Sequence, residues 1–204
     1  MSFLTEEFDD SFKLDGKVYH VNLAFDNVLL LFEMFDDGSI LDNEKILLTL
    51  EMLIVEYEQL QFESAEQVIM LYKYLMKEFL GYDTAHKPDA EKEKTYDFQK
   101  DAELIFASFF SAYNMDLIEQ KGKLHWKKFI TMLKHLDEKT AFKNVVKIRT
   151  MKIPKVTEHN KDDIAELRKA KEFYSLDDRP AEEKMNDVFN VVAHAFKGGK
   201  KAGE

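Results

Sequence analysis

Apolar and polar residues first alternate along the chain and then recur at helical spacing. Residues 11–21, SFKLDGKVYHV, alternate around Asp15-Gly16, a pair that tolerates the positive φ angles of a type I′ turn. From Phe25 onward, apolar residues recur every three or four positions, as in FDNVLLLFEMF, DNEKILLTLEMLIVEYEQL and ESAEQVIMLYKYLMKEFLG. The pattern therefore predicts an N-terminal β-hairpin followed by a series of amphipathic helices.

One predicted helix differs from the others because it is apolar on more than one face. It lies in YDFQKDAELIFASFFSAYNM, residues 96–115, after a polar loop that contains Pro88. A helix that is apolar around most of its circumference is usually enclosed by its neighbours. We therefore expect this helix to be central and buried.

These elements predict a mainly α fold with a small N-terminal β-hairpin and a C-terminal helical extension. The character of the sequence changes at Pro154, after which it is highly charged. We accordingly expect a helical core domain over residues 1–153. Residues 154–204 are expected to form a charged linker, two C-terminal helices and a disordered tail, KGGKKAGE.

The second C-terminal helix, predicted over residues 181–196, has the cleanest apolar stripe in the chain. Its residues recur at helical spacing: Met185, Val188, Phe189, Val192 and Phe196. Such a stripe packs either on its own domain or on another molecule. We expect it to bind a partner, because methionine and phenylalanine adapt to varied surfaces and the preceding domain has enough apolar residues for a core of its own.

Charge is divided unevenly along the chain, whose formal net charge is −10. Residues 1–118 carry 25 acidic and 9 basic residues, net −16, whereas residues 119–204 carry 14 acidic and 20 basic residues, net +6. The asymmetry predicts either a basic binding surface or attraction between the two parts, within one chain or between copies. It is one reason to expect a homo-oligomer.

The sequence contains none of the common arrangements of catalytic residues. There is no cysteine, no glycine-rich phosphate loop and no nucleophile elbow, and no two histidines lie three or four positions apart. Residues 33–44 have the glycine and the final glutamate of a calcium loop, but Phe35 and Leu41 replace two of its ligands. We therefore expect a non-enzymatic protein with no catalytic, metal-binding or cofactor-binding residues. No apolar run approaches the ~20 residues that a membrane helix needs.

Trp126 is the only tryptophan and lies in GKLHWKKFITMLKHL, residues 122–136. On a helical wheel it shares a face with Phe129 and Leu133, so we expect it to be a core residue that packs against this face and the buried helix. Two alternatives remain. The ring could contact a protein partner, or it could stack on nucleic acid, because residues 121–155 contain 11 basic and only 2 acidic residues.

Arg149 lies on the apolar stripe of the helix predicted in TAFKNVVKIR. A guanidinium on an apolar face needs an acceptor, because a buried unpaired charge is costly. The nearest candidates are Asp101 and Asp116, which bound the buried helix. We expect a partly buried ion pair with one of them. The alternative is that Arg149 extends to solvent from the helix end.

Residues 98–149 resemble a family of bacteriophage tail proteins. The resemblance rests on Asp101-Ala102, IFASF (105–109), YNMDL (113–117), LHWKKF (124–129) and KIR (147–149). It extends to the N-terminal FKLDGKVYHVNLAFDNVLLLFEM, to EKILLTLEMLI and to AKEFYSL at 170–176. Asn114 departs from the family pattern, which has glycine there.

The resemblance implies a tail assembly chaperone, since the family is encoded between the major tail protein and the tape measure protein of long-tailed phages. Such a protein would bind the tape measure protein, with the major tail protein as a further partner. It would act in the cytoplasm of the bacterial host and be absent from the mature virion. The family brings no catalytic residues. Two other functions remain open: a nucleic-acid-associated phage protein that uses residues 121–155, or a structural tail component that stays in the virion.

Overall fold

A computed structural model describes residues 3–5, 7–82, 95–157 and 159–176. These residues form a short β-hairpin and seven α-helices. The hairpin is β1 (Ser11–Leu14) and β2 (Lys17–His20), and the helices are α1 (Phe25–Asp36), α2 (Asp42–Leu53), α3 (Ala65–Glu78), α4 (Ala102–Tyr113), α5 (Trp126–Lys134), α6 (Ala141–Thr150) and α7 (Lys161–Phe173). A single 3₁₀ turn, Tyr57–Gln59, follows α2. The predicted mainly α fold with an N-terminal hairpin is confirmed.

The hairpin forms at the predicted turn. Its strands are antiparallel, with Phe12 opposite Tyr19, and the two rings stack with centroids 5.6 Å apart. Asp15 and Gly16 have φ angles of 49° and 77°, as a type I′ turn requires. Both aromatic residues are buried, so the hairpin contributes one face to the core.

The described residues belong to two compact units, each drawn from two separate parts of the chain. The first takes residues up to 82 together with Tyr113–His135, and the second takes residues 95–112 and 136–176. These ranges differ from the two domains predicted on either side of Pro154. The discontinuity arises because α5 packs with the N-terminal helices, whereas α4, α6 and α7 pack with one another.

The segment after β2 joins the elements of the first unit through main-chain hydrogen bonds. Val55 N donates to His20 O at 2.9 Å, and Trp126 N donates to Leu23 O at 2.7 Å. In addition, the side-chain amide of Asn27 on α1 donates to Met52 O at 2.9 Å. The segment after β2 is thereby bonded both to the residues that end and follow α2 and to the start of α5.

Local sequence signals set several helix ends. Ser64 caps α3 by accepting from Gln67 N at 3.4 Å. Beyond α3, Gly81 has a φ of 75° and Tyr82 N donates to Met76 O at 2.8 Å, which terminates the helix in the manner typical of glycine. Asn114, just after α4, has a φ of 49°. Asparagine tolerates this left-handed conformation better than most residues.

No helix in the described parts of the chain is long and apolar enough to span a membrane. The predicted helix over residues 181–196 and the predicted tail lie outside the described residues.

Candidate interaction site

Of the residues singled out from the sequence, the structure describes four and leaves five undescribed. Met185, Val188, Phe189, Val192 and Phe196 lie outside the described residues, so the partner-binding role of their stripe stays a prediction. Trp126, Arg149, Asp101 and Asp116 are described. Arg149 and Asp101 come together in the second unit, and the other two lie in the first unit.

Arg149 binds Asp101 through two parallel hydrogen bonds. Its Nη1 lies 2.6 Å from Oδ2 of Asp101, and its Nη2 lies 2.7 Å from Oδ1. The Asp101 side chain is 1% exposed and the Arg149 side chain is 11% exposed. This planar, two-pronged geometry is the strongest form of ion pair that arginine makes. Arg149 therefore does not extend freely into solvent.

Two further donors of Arg149 bind main-chain carbonyl oxygens. Its Nε donates to Tyr174 O at 2.5 Å, and Nη1 also reaches Thr95 O at 3.3 Å. In return, the Lys171 ammonium donates to the carbonyl oxygen of Arg149. We call Thr95, Asp101, Arg149, Lys171 and Tyr174 the Arg149 cluster. The cluster joins the start of α4, the end of α6 and the end of α7.

The turn that holds Asp101 in place is built by a second aspartate. The carboxylate of Asp97 accepts from Gln99 N and Lys100 N, both at 2.9 Å. The main-chain N–H of Asp97 donates to Oδ2 of Asp101 at 2.9 Å. Both carboxylate oxygens of Asp101 are therefore hydrogen-bonded, one to Arg149 and one to Arg149 and the turn. The turn holds Asp101 just before α4 begins. Asp97 was missed from sequence, although an aspartate two residues before the amide it accepts from is a known turn signal.

Asp116, the other candidate partner of Arg149, has a local role. Its carboxylate accepts from Ile118 N at 2.8 Å and from Glu119 N at 3.4 Å. It therefore orders the turn that follows Asn114.

Trp126 is buried in the first unit, at 6% exposure. Its ring meets the edge of Phe32 on α1 with centroids 5.5 Å apart, and it stacks beside Phe129 at 5.7 Å. Phe129 in turn stacks on Phe25 at 4.9 Å. A ring enclosed in this way has no face for stacking on a nucleobase.

His125, immediately before Trp126, caps α5. Its Nδ1 accepts from Lys127 N at 3.0 Å, and its Nε2 lies 3.0 Å from Oδ1 of Asp10. Because Nδ1 is an acceptor, the ring proton is on Nε2, which donates to Asp10. Phe8 stacks on the ring at 4.3 Å. The sequence signal was its position directly before the apolar stripe of a helix, where a cap is expected.

A small cleft of about 260 Å³ lies between α1, α2 and α3 in the first unit, lined by Phe35, Asp42, Lys45, Ile46 and Tyr72. The Lys45 ammonium is directed to the end of α1, where it donates to Phe35 O at 2.7 Å. This contact satisfies a carbonyl at the negative end of the helix. Burial raises the pKa of Tyr72. Among the described residues, no group of three or more His, Cys, Asp or Glu side chains is arranged to hold a metal ion.

Helix α4 carries apolar side chains on a surface face, contrary to the expectation that it is buried all round. Its inner face consists of Ile105, Ser108 and Phe109. Phe110, in contrast, is 52% exposed and stacks on the partly exposed Phe106 with centroids 6.4 Å apart. Ala102, Phe106 and Phe110 are spaced four residues apart, so they form one line along the helix. We call this line the α4 stripe.

The profile of one protein family, described as Bacteriophage Gp15 protein, matches residues 4–176. The matched range contains the hairpin, the seven helices and the whole Arg149 cluster. No curated protein and no solved structure matches the chain.

Proposed function

The chain belongs to the bacteriophage Gp15 protein family, and from this premise we propose that it is a tail assembly chaperone. It binds the tape measure protein and keeps it soluble until tail tube subunits polymerise around it. The observation that carries the proposal is the phage family membership over most of the chain. The resemblance of residues 98–149 to a tail protein family supplies the assembly role.

The proposed role follows from the chemistry of its client. A tape measure protein is long, largely helical and rich in apolar stripes, which remain exposed before the tube forms around it. Exposed stripes of this kind aggregate. A chaperone covers them by pairing one amphipathic helix with another, and this step needs neither catalysis nor a cofactor.

The contact is assigned to residues 181–196. Their stripe of methionine, valine and phenylalanine side chains offers an adaptable apolar surface. Many weak and repeated contacts suit a chaperone that tube subunits must later displace. The proposal places the protein in the host cytoplasm and outside the mature virion. It includes self-association, and it includes contact with the major tail protein when the tube forms.

The proposal is tested by co-expressing the tape measure protein with the full chain and measuring its soluble fraction. The variant Phe189→Asp/Val192→Asp places two charges on the stripe and should abolish solubilisation. Asp187→Asn/Asn190→Asp is the matched control, because it changes two positions on the opposite side of the predicted helix and should retain activity. If both variants solubilise the tape measure protein as well as the unaltered chain, the contact is misassigned. If the unaltered chain itself fails to solubilise it, the chaperone function is wrong.

A nucleic-acid role remains the second candidate because residues 121–155 carry 11 basic and 2 acidic residues. Binding through these charges alone would be sequence-independent and strongly salt-dependent. The Trp126 ring is enclosed, so base stacking on this ring does not support a nucleic-acid role. A salt-dependent mobility shift with DNA would favour this candidate, whereas finding the protein in purified particles by mass spectrometry would favour a structural tail component.

A further inference from the structure

We propose that the α4 stripe is the docking surface for residues 181–196 of the same chain. The stripe is Ala102, Phe106 and Phe110, and it leaves one large aromatic ring about half exposed. A pair of stacked phenylalanines, one exposed and one partly exposed, on a regular helix is a surface on which a second amphipathic helix can pack. Residues 181–196 are the proposed occupant because the described chain ends beside the start of this helix.

The described chain ends beside the start of α4. The Lys100 ammonium, two residues before the first residue of the helix, donates to Leu176 O at 2.8 Å. The Arg149 cluster fixes the same place, because one guanidinium binds both Asp101 and Tyr174 O. Leu176, the last described residue, therefore lies beside the N-terminal end of α4, where the α4 stripe begins.

The length of the following segment fits the stripe. Met185 lies nine positions after Leu176, and nine residues of extended chain reach up to about 30 Å. Helix α4 has 12 residues and is about 18 Å long. The apolar residues of 181–196 recur every three or four positions, the spacing that packs against a line of side chains four residues apart.

Charge favours the same path for the connecting residues. Asp177 and Asp178 come directly after Leu176 in the sequence, and the carbonyl oxygen of Leu176 accepts from Lys100, just before the positive end of the α4 dipole. Acidic residues are stabilised at this end of a helix. The proposed docking thus places these two acidic residues where their charge is favourable and the apolar residues behind them over the α4 stripe.

Docking in this way regulates the proposed client contact. While residues 181–196 cover the α4 stripe, both apolar surfaces are shielded from solvent and the free chaperone is protected from aggregation. A client helix must displace this intramolecular contact in order to bind. This consequence rests on the proposed function, whereas the docking itself does not and is measured without any client.

The absence of cysteine makes the contact directly measurable. In the full chain, Phe110→Cys is paired with Val188→Cys, and air oxidation is followed on a non-reducing gel. A disulfide forms only when two Cβ atoms approach within about 4.5 Å, so docking predicts rapid formation of an intrachain disulfide. Pairing Phe110→Cys with Asp187→Cys is the control, because residue 187 lies off the predicted stripe and should cross-link much more slowly.

Reactivity of a single thiol gives an independent readout. Labelling of Phe110→Cys by a maleimide is compared in the unaltered background and in the Phe189→Asp/Val192→Asp background. If about nine molecules in ten are docked, releasing the segment speeds labelling about tenfold. Ala102→Cys provides a second reporter on the stripe. Met70→Cys, at a position 70% exposed on α3, should label at the same rate in both backgrounds.

The cross-linking and labelling results together show whether the α4 stripe is covered by the same chain, by a second copy or by neither. Intrachain cross-links specific to residue 188, with protection of both stripe reporters, support the proposal. Cross-links that join two chains overturn it, because the occupant is then a second copy. Equal cross-linking at residues 187 and 188 together with equal labelling in both backgrounds also overturns it. Neither of those two outcomes contradicts the chaperone function, which is tested separately by the solubility of the tape measure protein.

Discussion

The hydroxyl oxygen of Ser108 on α4 accepts a hydrogen bond from the main-chain N–H of Phe142 at the start of α6, over 3.0 Å. Both residues are buried. The first amides of a helix have no partner inside the helix. Thr140, which precedes α6, makes no side-chain cap, and its hydroxyl instead donates to Asp137 O. One helix of the second unit thus caps another through a residue 34 positions away.

Replacing Ser108 by alanine should leave the Phe142 amide buried without an acceptor. We expect Ser108→Ala to lower the free energy of unfolding by about 1–3 kcal/mol, the usual penalty for such a group. Chemical denaturation measures it. Ser111→Ala is the control, since its hydroxyl is a donor to Ser108 O near the surface, and it should change stability by less than about 1 kcal/mol. Equal effects of the two variants would contradict the capping role.

Breaking the ion pair of the Arg149 cluster should be among the most destabilising single changes. Asp101→Ala leaves a guanidinium largely buried without its carboxylate, for which we expect a loss of about 3–5 kcal/mol. The matched control is Glu138→Gln, which removes a surface pair with Lys143 at 3.4 Å and should cost less than about 1 kcal/mol. A double variant, Asp101→Leu/Arg149→Met, should recover part of the loss, because two apolar side chains leave no unpaired charge. If Asp101→Ala were as mild as the control, the pair would not stabilise the unit.

Trp126→Ala should destabilise the first unit by about 3–5 kcal/mol, as expected for a large ring removed from a packed core. The reason is the loss of its contacts with Phe32 and Phe129. Leu30→Ala on the exposed side of α1 should cost less than about 1 kcal/mol. Thermal unfolding of both variants checks this. A Trp126→Ala variant with an unchanged melting temperature would show that the ring is not part of the core.

The link between β2 and the end of α2 should make stability depend on pH. Glu56 accepts from His20 N at 2.8 Å and lies 2.7 Å from His20 Nδ1. The hydrogen bond from the His20 amide, followed by that from its ring, lowers the pKa of Glu56 below its ordinary value of 4.5. A carboxylate with a lowered folded-state pKa stabilises the fold above its unfolded pKa and loses this contribution as pH falls through the folded one.

Glu56→Gln should therefore melt at a lower temperature than the unaltered chain at pH 6, and the difference should shrink as the pH falls below 4.5. Melting curves recorded between pH 6 and pH 3 measure the difference. Glu58→Gln, two residues further along, controls for the removal of one negative charge. A difference that stayed constant over this range would mean that Glu56 does not carry the pH dependence.

Features encoded by neighbouring residues were predictable from the sequence. The Asp15-Gly16 turn forms as expected, and the Ser64 cap and the Gly81 stop likewise depend on residues within six positions of one another. The ion pair of Arg149 spans 48 positions, but a charge on an apolar stripe limits its choice of partner. The cost of burying an unpaired charge thus predicted a carboxylate partner for Arg149, and Asp101 was one of the two candidates.

Other contacts were not predictable because they depend on which helices meet. Helical spacing shows that a residue lies on an apolar face, but it does not show whether another helix packs against that face. Phe109 and Phe110 are adjacent in an apolar run, yet the first is fully buried and the second is half exposed. The caps supplied by Ser108 and Lys45 were missed for the same reason, since each satisfies a backbone group on another helix.

The split composition of the first unit sets an order of events during synthesis. Its N-terminal helices end at Glu78, but Trp126, Phe129 and Leu133 of α5 complete its core. At about 5–20 residues per second, a ribosome needs roughly 2–10 s to produce the 48 residues from Glu78 to Trp126. During that interval the inner face of α1 has no α5 to cover it. The first unit therefore closes only after the α4 segment of the second has been made, and no single cut in the chain can release either unit whole.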